Sequence, residues 1–367
     1  MFFRRKSKPP QIIPFNQRVT AFWQWYAAEA QRFYDTIEDK RCPELAKEVS
    51  AKVNQLLPGM AWVFGPGPKE QGGHSFTLSP EGNAHKRLLS DYWLAQAPKL
   101  PGWTFYASRQ PSHTISAETG INIKDLTIKA GETWVSAHPQ RDNQIINLSA
   151  WHPSFEELPE KAAYQITFIM LDEALGEDAV ENHIGEIHIR NDRLANSVPM
   201  HELRDEVEKI RAKWEDAAPH GSYQVYQLPE PSDRFLRADT IAGSTRHMKL
   251  INEYLGEEGQ MADDPIAELG AEFAFVCFPS THLPRGEEAT KRGEIEDALE
   301  QALQPDQRGI CLGGATGMLN TYVDLLLFDP GPETISRLQA ALAPFQLNGD
   351  AALHPFYGNS QKPRCRL

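Results

Sequence analysis

Cysteine is scarce in this chain: four in 367 residues, Cys42, Cys277, Cys311 and Cys365, with no CxxC pair and no regular spacing. That excludes a disulfide framework and a cysteine-built zinc site, and free thiols point to the cytoplasm. Cys365 stands third from the end, which misses the four-residue prenylation pattern. No stretch approaches the roughly 20 apolar residues of a membrane span. The start, Met1-Phe2-Phe3-Arg4-Arg5-Lys6-Ser7-Lys8-Pro9-Pro10, is basic but lacks the apolar core of a secretory signal behind it. Positive charge is also short. The 37 basic residues against 50 acidic ones leave a formal charge of -13, which disfavours attachment to nucleic acid or to an anionic membrane. HExxH and G-x-S-x-G are missing too, so neither a cofactor nor a metal is expected.

What the chain does have is a folded composition, 41% hydrophobic and 24% charged, at a length that suits more than one core. Its most legible part runs from 271 to 357. Glu272-Phe273-Ala274-Phe275-Val276-Cys277-Phe278 is a short aromatic and β-branched run stopped by Pro279, the mark of a buried strand. Ile295, Ala298, Leu299, Ala302 and Leu303 follow at helical spacing behind Glu287 and Glu288. Strands are expected at 308–312 and 321–328, a helix at 333–342 and a last strand at 351–357. This is the βαββαβ order of a ferredoxin-like domain, in which the first and third strands lie side by side at the centre.

The rest alternates helices and hairpins irregularly, so the fold class expected is α+β. The spacing of Phe22, Tyr26, Phe33 and Ile37 predicts a helix over 16–37, with Trp25 off its apolar stripe. Further helices are expected at 44–57, 83–97, 159–175 and 201–214, with strands between them. The organisation expected is a basic arm at 1–15, an N-terminal α+β domain at 16–190, a helix and linker at 191–221, and a C-terminal domain at 222–367.

Five places invite a chemical reading. Gly313-Gly314-Ala315-Thr316-Gly317 resembles a phosphate cradle, but it lacks the P-loop lysine and leads into a strand, so a glycine-rich turn or bulge is expected instead. Ser244, Thr245 and Arg246 stand where a helix is expected to begin, which makes them candidate contacts for a small anionic ligand; the plainer account is a hydroxyl cap. Glu186 and His188 share one face of a strand near His183, as any half-exposed strand would place them. Asp172, Glu173, Glu177 and Asp178 crowd the carboxyl end of a helix, where the dipole opposes negative charge. Asp324 sits inside an apolar strand with Tyr322 on its face, and that face is expected to be open to a partner or ligand.

The chain resembles a group of uncharacterised bacterial proteins. The resemblance rests on Phe22-Trp23-Gln24-Trp25-Tyr26, on Leu171-Asp172-Glu173-Ala174-Leu175-Gly176-Glu177, on Arg237 to Thr245, and on Gly313 to Gly317 through Tyr322-Val323-Asp324-Leu325-Leu326-Leu327-Phe328-Asp329. It implies a bacterial cytoplasmic protein and brings no activity with it. RNA binding, suggested by aromatics on such a sheet, is disfavoured because acidic residues outnumber basic ones after 271. The leading expectation is a non-enzymatic interaction or regulatory protein with a protein partner, in an immunity-like or enzyme-modulating role. The alternative is an enzyme or binding protein for a small phosphate- or carboxylate-bearing ligand held between domains.

Overall fold

The structure, a computed structural model, describes residues 12–69, 71–112, 114–123, 126–141, 144–214, 222–347 and 349–367. Most of the expected basic arm lies outside them. The fold is α+β, in two compact units. One joins Met1–Gly59 to Gly221–Leu367, and the other is Met60–His220.

The first unit opens with α1 (Phe15–Glu38) and α2 (Ala46–Leu56). Phe15, Val19, Phe22, Tyr26, Ala30 and Phe33 recur three or four residues apart and are all buried, which is the single apolar stripe of an amphipathic helix. Trp25 is half-buried, packed edge-on against Phe22 and Phe33 with Lys52 over its ring. The start of α1 is fastened to later chain: the Phe15 N–H donates to Gly270 O, the Asn16 N–H to Phe328 O, and the rings of Phe15 and Phe328 lie 6.0 Å apart. Gly270 has φ 78, and a Cβ there would lie 2.1 Å from Ile13 O, so only glycine lets the two segments approach this closely.

The second unit begins with β1 (Ala61–Pro66), β2 (His74–Ser79), α3 (Ala84–Ala95) and β3 (Trp103–Tyr106), whose strands form a sheet in the order β1-β2-β3. A hairpin of β4 (Gly120–Ile123) and β5 (Leu126–Lys129) precedes β6 (Trp134–Gln140) and β7 (Ile145–Trp151). Then come α4 (Glu160–Leu175), α5 (Glu177–His183), β8 (Ile184–Ile189), β9 (Val198–Pro199) and α6 (Leu203–Arg211). The order of this second sheet is β8-β7-β6-β9. Leu203, Val207 and Ile210 of α6 enter the same core as Ala163, Ile166 and Leu171 of α4.

Back in the first unit, β10 (Gln224–Gln227), β11 (Thr240–Thr245) and α7 (Met248–Gly256) lead into β12 (Glu272–Pro279), α8 (Glu288–Leu303), β13 (Gly309–Gly317), β14 (Asn320–Leu327), α9 (Pro332–Leu342), β15 (Ala352–Pro355) and β16 (Cys365–Arg366). The seven-stranded sheet runs β10-β11-β13-β14-β12-β15-β16, antiparallel throughout. Strand, helix, strand, strand, helix, strand therefore follow one another from 272 to 355, with β12 and β14 central and adjacent. β10 and β11 widen the sheet beyond four strands on one edge and β16 on the other. On one face Ala274, Val276, Phe278, Val323, Leu325 and Leu327 pack with Ile295 and Leu299 of α8 and Leu338 of α9.

Two expectations change here. Helices α1 and α2 belong with the C-terminal sheet, and α6 is core of the inserted unit, where the sequence reading placed the former in a 16–190 domain and the latter in a linker. Apolar periodicity reports which face of a helix is buried, not which sheet buries it. The glycine run carries a bulge between Cys311 and Gly313, one of the two forms expected of it, but it lies inside β13, and the turn follows at Met318 and Leu319.

Candidate functional site

The second face of the large sheet carries Tyr322 and Asp324 of β14, Phe275 of β12 and Tyr226 of β10. Asp324 is fully buried, so the expected open face is closed. Two elements close it. The segment before β11 lays Arg237 over the sheet, and α7 stands Tyr254 edge-on against Phe275 and Phe356, with centroids 5.9 and 5.2 Å away. His247 stacks on Phe273 beside them.

Arg237 is the centre of this layer. Its Nη1 donates to Asp324 Oδ1, and its Nη2 to Asp324 Oδ2 at 3.1 Å and to Tyr226 Oη at 2.8 Å. The guanidinium carbon lies 5.1 to 5.6 Å from the ring centres of Tyr322, Phe356 and Phe275, a cation boxed by aromatic rings. The backbone of Arg237 adopts φ 73, which costs a side-chain-bearing residue about 1–2 kcal/mol; its N–H donates to Tyr322 Oη at 2.9 Å. Tyr322 in turn donates to Asp239 Oδ1 at 2.5 Å, while Asp239 Oδ2 accepts from the N–H groups of Leu319 and Asn320.

Burial pushes the Asp324 carboxyl up from its ordinary value, against the pull of Arg237 and Arg292. Burial is the largest single influence on the Arg237 cation and opposes it, but the charge and hydrogen bond of Asp324 together with Tyr226 and Tyr254 hold the guanidinium above its ordinary value. Arginine keeps its proton, so the pair is an ion pair in which both Nη atoms of Arg237 and both carboxylate oxygens of Asp324 have partners. It faces no solvent. Such a network fixes one arrangement of strands and offers no reacting atom to a substrate.

The glycines of β13 serve this packing. A Cβ on Gly313, whose φ is 131, would lie 2.0 Å from Ser244 O; one on Gly317 would lie 2.4 Å from Asp239 Oδ2. The run lets β11 and the Asp239 carboxylate approach β13.

The other expected site residues are dispersed. Ser244 and Thr245 end strand β11, opposite Gly314 and Gly313, and do not begin a helix. Thr245 Oγ1 accepts from the His247 N–H. Arg246 donates to Tyr223 Oη at 3.0 Å and lies over that ring. Glu186 and His188 form an exposed pair on β8, 3.2 Å apart. Among the described residues no cluster of His, Cys, Asp and Glu is suited to a metal ion, and no helix is long and apolar enough to cross a membrane. Cys277 and Cys311 stand on strands separated by β14, and all four thiols are free.

What the sequence reading missed is the surface at the sheet's edge. Among the described residues β10 pairs with β11 alone. Val225 on it is 76% exposed, and Tyr223, Ile241, Met318 and Leu319 are about half exposed nearby in the fold. Thr240 pairs with Gly317, and the Met318 N–H donates to Asp239 O, which brings Ile241 and the 318–319 turn to one end of the sheet. The signal in the sequence is the uncharged run Ser222-Tyr223-Gln224-Val225-Tyr226-Gln227-Leu228-Pro229 in so acidic a chain.

Comparisons with protein-family models, with curated proteins and with solved structures find no match.

Proposed function

We propose that this protein acts by binding another protein along the β10 edge of its large sheet, as a regulatory or immunity-like partner without catalytic activity. One observation carries the reading: the outermost strand is open, uncharged and apolar at Val225. Strands at sheet edges are normally protected from further pairing by lysine, proline or a bulge. Residues 224–227 contain no lysine and no proline, and their pairing with β11 is regular. An extended segment of a partner adding a strand here gains main-chain hydrogen bonds, with Val225 and Tyr223 as apolar contacts.

The competing reading, a small anionic ligand, needs Ser244, Thr245, Arg246 and Asp324 to be available, and their hydrogen bonds and ion pair engage three of the four. We place the protein in the cytoplasm on its free thiols, and the ferredoxin-like plan of 271–357 as the frame that holds the edge.

The test uses the full chain as bait in a lysate of its source organism, beside the Val225→Lys variant. The expected result is one stoichiometric protein held by the natural chain and lost by the variant. Equal recovery by both, or a co-purifying nucleotide or metabolite with no protein, overturns the proposal.

A further inference from the structure

The carboxylates that crowd the end of α4 have no part in the edge surface, yet they are built into the second unit. Gly176 separates α4 from α5 with φ 83, and a Cβ on it would meet Pro111 at 2.7 Å and Arg109 O at 3.2 Å. The chain turns sharply here, and Glu177 fastens the turn. Glu177 is 2% exposed. Its Oε2 accepts from Ser79 Oγ at 2.8 Å and from the Arg109 N–H at 3.0 Å, and its Oε1 accepts from the Gly82 N–H at 2.8 Å. One carboxylate thus ties the head of α5 to two other segments.

Asp172, one turn before Gly176, disturbs this arrangement. Its Oδ1 is buried without a hydrogen-bond partner among the described residues, a costly state for an ionised oxygen. The groups facing it are mostly acidic: Glu177 from α5, Glu81 from the turn after β2 and Glu173 from α4 itself. Arg109 is the cation on that side, and it is paired with Glu81. Arg204 of α6 is turned to the backbone, donating to Ala174 O and Ser112 O. The end of the α4 dipole adds further negative potential.

We infer that the α4–Gly176–α5 junction is a proton-gated hinge, in which a proton on Asp172 lets Glu177 keep its three hydrogen bonds and loss of that proton loosens them. Burial and then the Glu177 charge push the Asp172 carboxyl up to about 7. Between about pH 6 and about pH 8 the protonated fraction at such a site falls from ~90% to ~10%. The sign follows from linkage. A carboxyl whose folded value is raised stabilises the closed form at low pH, and that contribution is lost as pH rises through the folded value.

Hydrogen–deuterium exchange of the full chain, corrected for the intrinsic pH dependence of exchange, tests the hinge. Protection of residues 172–183 is expected to fall about tenfold from pH 6 to pH 8 in the natural chain, and to stay constant and high in Asp172→Asn. Infrared spectroscopy of the natural chain supplies a readout that needs no variant: a protonated carboxyl band at pH 6, lost by pH 8. A pH-independent protection in the natural chain, the same loss of protection in Asp172→Asn, or no such band at pH 6 overturns the inference.

Discussion

Arg237 and Asp324, 87 residues apart in sequence, meet as a two-pronged ion pair with each side chain about 1% exposed. Removing one partner leaves the other charged and buried. Asp324→Ala is therefore expected to cost about 3–5 kcal/mol, read as a lower urea midpoint, while Arg237→Met with Asp324→Leu recovers most of it. An unchanged midpoint for Asp324→Ala would show that the pair is no anchor.

Tyr322 joins this pair to the Asp239 turn, as donor to the carboxylate and acceptor from the Arg237 N–H. Tyr322→Phe keeps the ring and removes both bonds. A loss of about 1–3 kcal/mol is expected. Thermal unfolding within a degree of the natural chain would contradict it.

Gly313→Ala meets both an unfavourable φ and the Ser244 carbonyl. The clash is with backbone, which cannot rotate away, so a loss of at least about 2 kcal/mol is expected. A crystal structure of the variant with β11 and β13 still paired at the natural spacing would refute that account.

His354 is buried, stacked on Phe275, with Nδ1 bonded to Ser360 O. Burial lowers its pKa, against that hydrogen bond. The folded form then binds fewer protons than the unfolded one, so stability present above about pH 6.5 is lost as pH falls towards the folded value. The natural chain is expected to lose melting temperature between about pH 7 and pH 5 relative to His354→Asn. Parallel profiles would exclude His354 as the cause.

Thiol accessibility gives a simpler check. Cys277 and Cys311 are buried, with burial the main cause of their raised pKa, Cys277 to about 12. Cys42 and Cys365 are half-buried. An aromatic disulfide reagent should label Cys42 first and reach Cys277 and Cys311 only in denaturant. Four equal rates would mean that the sheet opens in the native state.

Much of the large sheet was legible because its strands announce themselves. Phe273 to Phe278 and Thr321 to Phe328 are continuous apolar runs, and a carboxylate inside one of them marks Asp324 at once. Its partner was not legible. Nothing local in Arg237 shows that it folds across the sheet, and pairing over so long a separation leaves no period in the sequence. The glycine run was legible as a bulge but not as strand, since what forces glycine there is the nearness of Ser244 O and Asp239. At the other end of the chain, Leu171 to Glu177 displayed its excess of carboxylates, but only the fold shows that Glu177 is held by Ser79, Gly82 and Arg109 while Asp172 is not.

The fastening of Phe15 to Phe328 and Gly270 also sets the order in which the protein can be finished. Helix α1 leaves the ribosome ahead of the other elements described, yet its anchor is made only after the whole 60–220 unit and most of the sheet have followed. At about 5–20 residues per second that wait is roughly 15 to 60 seconds. During that time an aromatic stripe containing Phe22, Trp23, Tyr26 and Phe33 precedes the sheet of its own unit, while the inserted unit can complete its core alone. Nascent chains stalled before residue 328 should therefore engage chaperones through their N-terminal helix.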